Sequence, residues 1–156
     1  MLLLKRYIIY FFVFVFLAIL IVTINNGYQY KNAEKTLSYI MNQRTDIINQ
    51  ATEGQLNQEE AYQLLKQILD DPLLESDTDF IKDINDFPTD IDIIKEMHIL
   101  EINDLKIEKD DMTFNAHIVW VVEGLMDIYV EESIYSFHFK KFNKGSYKLI
   151  DYQVIT

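Results

Sequence analysis

The sequence predicts an α+β fold behind a membrane anchor. An N-terminal transmembrane helix comes first, then two to three helices packed on a curved antiparallel sheet of about four strands. Three observations lead there. Residues 7–24, YIIYFFVFVFLAILIVTI, carry no charge, no Gly and no Pro. From residue 31 to residue 69 the apolar side chains recur at offsets of three, four and seven, the spacing of one helix face. From His98 onward the period drops to two, the spacing of a strand. Helices followed by antiparallel strands make a layer of helix on sheet.

The apolar run comes first because everything else depends on where it puts the chain. As a helix its length is about 27 Å, close to the ~30 Å hydrocarbon core of a bilayer. A cleaved secretory signal has a shorter apolar centre and ends in a small-x-small site. This run ends Thr23-Ile24-Asn25-Asn26-Gly27, so it is read as an uncleaved anchor. Lys5 and Arg6 precede it, and by the positive-inside rule they hold the N-terminus in the cytoplasm. Tyr7 and Tyr10 at one end, and Tyr28 and Tyr30 at the other, suit the two interfacial belts. The expected division is residues 1–24 as anchor and 25–156 as one extracytoplasmic domain.

Charge narrows the partners. All 25 acidic residues but only 12 of the 14 basic ones follow Ile24, which gives that part a net charge of −13. A phosphate-binding surface needs a basic face, so nucleic acid is not expected. Nor is lying flat on anionic lipid. Solubility accounts for the acidity, and a basic partner is the sharper alternative. The chain has no cysteine, which removes disulfides, thiolate metal sites and a Cys nucleophile.

The helices follow in order. Ala33, Leu37, Ile40, Met41, Ile47, Ile48 and Ala51 form an apolar stripe that Arg44 interrupts. It has room to run on from the membrane helix, with Gly27 as the weak point. Gly54 ends this helix. Asn57 with Glu60 has the spacing of a capping box and starts the next, with Ala61, Leu64, Leu65, Ile68 and Leu69 on one face. Pro72 stops it. Residues 70–92 hold nine acidic residues. A calcium loop fails there, because Ile81 falls where a ligand should alternate after Asp77 and Asp79, and no Gly sits at the sixth position. Phe80, Ile81, Ile84 and Phe87 instead predict a short helix with a solvated acidic side. Thr89 with Asp92 offers a cap for one further turn through Ile93, Ile94 and Met97.

Strands are expected near 98–108, 112–123, 126–142 and 146–155. In the second, Phe114, Ala116, Ile118, Trp120 and Val122 share a face, and Gly124 marks a turn or bulge. In the third, Ile128 and Val130 have one parity and Tyr135, Phe137 and Phe139 the other. An extra residue near 131–133 would bring both sets to one side, so a bulge is favoured there over a turn. Asn143-Lys144-Gly145 suits a hairpin turn before the last strand.

The stretches IEKDDMTFNAHIVW (107–120) and YSFHFKKFNKGSYKLIDYQV (135–154) carry a resemblance to the nuclear transport factor 2-like superfold, a helix-covered bent sheet shared with ketosteroid isomerase; cystatin-like folds give a similar pattern. It covers about residues 31–156. A membrane helix before such a domain also resembles the inner-membrane scaffold proteins of type IV secretion and conjugation systems. That likeness implies a non-catalytic, self-associating domain in an envelope machine, by analogy of fold.

No motif specifies a reaction. His98, His117 and His138 stand isolated, and no nucleophile elbow or phosphate loop occurs. No catalytic residue, metal or cofactor is expected. An isomerase-like pocket would take Asp151 as base, with Tyr129, Tyr135 and His117 as donors; in an alternating strand Asp151 is more simply a solvated residue. His117 and Asp151 are therefore carried only as candidate pocket groups. Apolar residues on both sheet faces suggest an interface on the uncovered one, for which Val119, Val121, Tyr129, Tyr135 and Tyr147 are the candidates. The leading expectation is an anchored, extracytoplasmic protein-binding or self-associating scaffold. A tethered small-molecule or peptide binder comes second and an isomerase or hydrolase on the same fold third.

Overall fold

The computed structural model describes residues 2–86, 92–142 and 145–155. These form three helices and a four-stranded antiparallel sheet: α1 (Leu2–Thr52), α2 (Gln58–Ile68), α3 (Leu73–Asp86), then β1 (Ile93–Glu108), β2 (Asp111–Glu123), β3 (Ile128–Lys141) and β4 (Tyr147–Val154), in the order β1-β2-β3-β4. The α+β class and the element order are those the sequence predicts. The chain divides into two compact units, Met1–Lys35 and Thr36–Thr156.

In the first unit α1 is long and apolar enough to cross a membrane. Between residues 11 and 24 every side chain except Val15 is exposed, Phe14 at 72% and Ile24 at 70%. Among the described residues, none covers this apolar surface.

The second unit buries what the helical period marks. Leu37, Ile40, Met41, Ile47 and Ala51 of α1 are core residues, as are Ala61, Leu65 and Ile68 of α2. Gly54, at φ +72°, takes the left-handed conformation that lets the chain leave α1. The capping box forms: the Asn57 side chain accepts from the Glu60 backbone N–H at 3.0 Å, and the Glu60 carboxylate accepts from the Asn57 N–H at 3.1 Å. In α3, Leu73, Leu74, Asp77, Ile81 and Ile84 are buried, and Phe80 is left exposed.

The sheet has one covered face. Met112, Phe114, Ala116, Ile118, Trp120 and Val122 of β2 are buried, with Tyr135, Phe137 and Phe139 of β3 and Leu149 of β4. Their rings form a ladder. Phe114 stacks on Phe139 at 5.4 Å between centroids, Phe137 stacks on Tyr152 at 5.8 Å, and Trp120 meets Tyr135 edge-on at 6.2 Å. Phe137 touches Phe114, Tyr135, Phe139 and Tyr152. Phe137→Ala is therefore expected to cost about 3–5 kcal/mol, the range for an aromatic removed from a filled core. Urea unfolding of residues 25–156 measures it.

Two local expectations need correction. β3 carries no bulge near 131–133, because its register with β2 runs without a shift from Ile128↔Glu123 to Asp111↔Lys140. The parity change is real and is resolved by exposure instead: Ile128 and Val130 lie on the uncovered face at 65% and 64% exposure. The register shifts occur in β1 at three places and at His138/Phe139, where Ile150 is the extra residue of β4. The turn proposed through Ile93, Ile94 and Met97 is instead the start of β1. Its suggested cap at Thr89, and Phe87, Asn143 and Lys144, lie outside the described residues.

Candidate functional site

A cleft of about 260 Å³ opens between the covered face of the sheet and α1. Met41 and Arg44 form its helix wall. Trp120, Tyr129, Tyr135 and Tyr152 form the sheet wall, and Asp92 and Glu131 also line it. Asn49 of α1 holds the helix to the sheet by donating to the Ile94 carbonyl at 2.8 Å.

Arg44 anchors this arrangement. Its Nε and one terminal nitrogen donate to the two carboxylate oxygens of Asp77 on α3, both at 2.6 Å. The guanidinium lies 5.3 Å from the centre of the Tyr152 ring. The side chains of Arg44 and Asp77 are 12% and 5% exposed. Burial works against the charge of Arg44. The hydrogen bonds and charge of Asp77, with smaller help from Tyr152, outweigh it and hold the guanidinium above its ordinary pKa. Asp77 thus belongs to a two-pronged ion pair. Among the described residues no group of three or more His, Asp or Glu is arranged to hold a metal.

At the other end of the cleft the Tyr129 hydroxyl donates to Asp92 at 2.6 Å. A side chain at Gly124 would meet Asp92 at 3.2 Å and Tyr129 at 3.4 Å, so Gly124 leaves room for this pair as well as making the turn to Asp127. The bond to Asp92 raises the Tyr129 pKa. A raised folded-state pKa stabilises the fold while the phenol stays protonated, below about pH 10, and that contribution fades as the pH climbs through the raised value. Asp92→Asn is expected to return Tyr129 toward about 10, which a carbon-13 titration of the tyrosine ring reads directly. Tyr135 is raised mainly by burial, and its hydroxyl accepts from Trp120 Nε1 at 3.1 Å.

The sequence candidates divide between the two faces. Tyr129 and Tyr135 line the cleft, and Tyr147 lines a second hollow of about 360 Å³ with Tyr39, Leu64 and Ile68. Val119 and Val121 face the opposite side, where β2 pairs them with Glu132 and Val130 of β3. The five therefore do not share one face of the sheet. The reason is the unbroken register of β3, which fixes Tyr129 and Tyr135 on the parity of the core. The two candidate pocket groups lie outside the cleft as well. His117 meets Glu132 at 2.6 Å on the uncovered face, and Asp151 pairs in register with His138 there. His117 and His138 are four register positions apart, and His138 meets Asp111 at 2.9 Å. Of the charged and aromatic cleft residues, sequence reasoning missed Arg44, Asp92, Trp120, Glu131 and Tyr152. Only the break that Arg44 makes in an apolar stripe signalled one of them.

No family model and no curated protein matches this chain. Among solved structures it is similar to the intermembrane-space region of the chloroplast protein ARC6, with a TM-score of 0.50 and 12% identity over 77% of this chain and 94% of that one. At that identity the likeness is one of fold. A de novo designed β-sheet protein also aligns, over 77% of this chain and 88% of its own, at 12% identity and a TM-score of 0.31, which carries no argument.

Proposed function

We propose that this chain is a single-pass anchored scaffold or adaptor whose domain binds protein outside the cytoplasm. The observation that carries the reading is the apolar end of the β2–β3 hairpin. Leu125 and Met126 at its tip are 70% and 93% exposed, and Ile128 and Val130 continue the surface along β3. Apolar groups grouped on a surface mark an interface more than scattered ones do. The exposed apolar segment of α1 supports the anchor. The ARC6 domain of like fold comes from an intermembrane space, the kind of location proposed here. Confinement to a membrane raises the effective concentration of such a binder without adding a contact.

Binding rather than catalysis is proposed because Asp151 and His117 sit across the sheet from Tyr129 and Tyr135. A base and its donors must converge on one reacting group. The tyrosine-lined cleft favours a second reading, a small-molecule or peptide binder. A photo-crosslinking residue at Met126, activated in whole cells, tests the first. A defined protein adduct in the membrane fraction, either a partner or a second copy, is expected. Efficient activation that yields no protein adduct would overturn it.

A further inference from the structure

We propose that the open edge of β3 takes up, as an added strand, an extended segment of a partner protein in which basic and apolar residues alternate; this rests on the protein-binding reading above. β4 pairs with β3 only from Tyr135 to Lys141. Along residues 128–133 no strand lies on that side among the described residues.

The direction of the backbone groups follows from alternation. In an antiparallel strand the N–H and C=O of one residue point to the same side, and the next residue points to the other. The Lys141 N–H bonds back toward β2, at the Asp110 carbonyl, and the Ile134 carbonyl accepts from Ile155 on the β4 side. With no shift between them, Ile128, Val130 and Glu132 turn their N–H and C=O groups to the open edge. These are the groups an incoming strand pairs with.

The outer strands of the sheet are β1 and β4, and β4 is bulged at Ile150 and bridged at Leu149 to Leu69. β1 is broken by three register shifts and by Asp104 at φ +55°, devices that discourage a strand from docking. The stretch 128–133 of β3 is regular.

Side chains give the chemistry. An added strand would alternate between the cleft, beside Tyr129 and Glu131, and the uncovered face, beside Ile128 and Val130. Asp92 and Glu131 line the cleft and Asp127 precedes the strand, while the cationic Arg44 is already held by Asp77. Basic residues therefore fit the cleft side and apolar residues the other. A second copy fits poorly, because edge-to-edge pairing would gather two sets of Asp127, Glu131 and Glu132.

The test uses the full chain in detergent micelles and a fluorescent ten-residue peptide of alternating Lys and Val. Its controls are the Glu–Val counterpart and a fully N-methylated Lys–Val peptide, which keeps the charges and side chains but has no backbone donors. The Lys–Val peptide is expected to bind, measured by anisotropy, with each control at least about tenfold weaker. Val130→Pro removes an edge N–H without touching the β2 ladder and should give a similar loss with an unchanged circular dichroism spectrum. A peptide cysteine should form a disulfide with Glu132→Cys and not with Glu101→Cys on the bulged edge, in a chain with no other cysteine. Equal binding of the N-methylated peptide would overturn strand addition. So would no peptide binding while Met126 still captures a partner, and in that case the protein-binding reading survives. If Met126 captures nothing either, both fall.

Discussion

Asp77→Ala is expected to destabilise the domain by about 3–5 kcal/mol, a large fraction of the ~5–15 kcal/mol that holds a typical domain folded. The substitution leaves the Arg44 guanidinium facing a hole where both its hydrogen bonds ended. Tyr152, 5.3 Å away, offers a ring face but no charge. The loss should greatly exceed what an exposed pair such as Lys95–Glu123 gives, since both of its side chains are 45% exposed and water screens them. Arg44→Lys should also be costly, because an ammonium cannot make two parallel bonds to one carboxylate. The double variant Arg44→Met with Asp77→Leu should recover most of the loss, because a buried ion pair exchanged for apolar side chains of similar size is often near neutral. Urea unfolding of residues 25–156 in the four forms reads each value. A single-variant loss below about 1 kcal/mol would place this pair with ordinary surface ion pairs.

This pair also shows what the sequence leaves unread. Arg44 and Asp77 are 33 positions apart. Alone, one is a break in an apolar stripe and the other is one of nine carboxylates in a run. Features written within a few residues of each other were legible. The Asn57–Glu60 box, the stop at Pro72 and the strict alternation of β2 each need only local spacing, and each is present. β3 misled because its apolar residues were all assigned to the core. Period two says that Val130 and Phe137 face opposite sides. It does not say that both sides are covered, and an exposed apolar side chain has the same letter as a buried one. The candidate interface residues divide between the faces for the same reason: with no bulge in β3, Tyr129 and Tyr135 keep the parity of the core and Val119 and Val121 take the other. The bulges that exist lie in β1 and β4, at residues as different as Asp104 and Ile150, so residue type does not mark them.

The chain beginning at residue 25 is expected to lose membrane attachment completely, whereas the full chain should resist alkaline extraction. Fourteen Leu, Ile, Val and Phe residues lie between positions 7 and 24. At about 0.3–0.6 kcal/mol each they favour insertion by at most roughly 4–8 kcal/mol. One Arg at the middle of the span opposes this by about 2.5–3.5 kcal/mol. Leu17→Arg alone should therefore leave part of the protein in the membrane, and Phe14→Arg with Leu17→Arg should release nearly all of it. Phe14 and Leu17 are 72% and 52% exposed and touch no core, so their replacement tests insertion without unfolding the domain. Intact mass separates an anchor from a signal, because a retained anchor keeps residues 1–24 in the membrane-bound form. Protease added outside sealed cells tests orientation. By the positive-inside rule, Lys5 and Arg6 before the span predict a domain outside, against the weaker pull of Lys31 and Lys35 beyond it. Digestion of the domain in sealed cells is the expected result, and protection there would reverse the orientation.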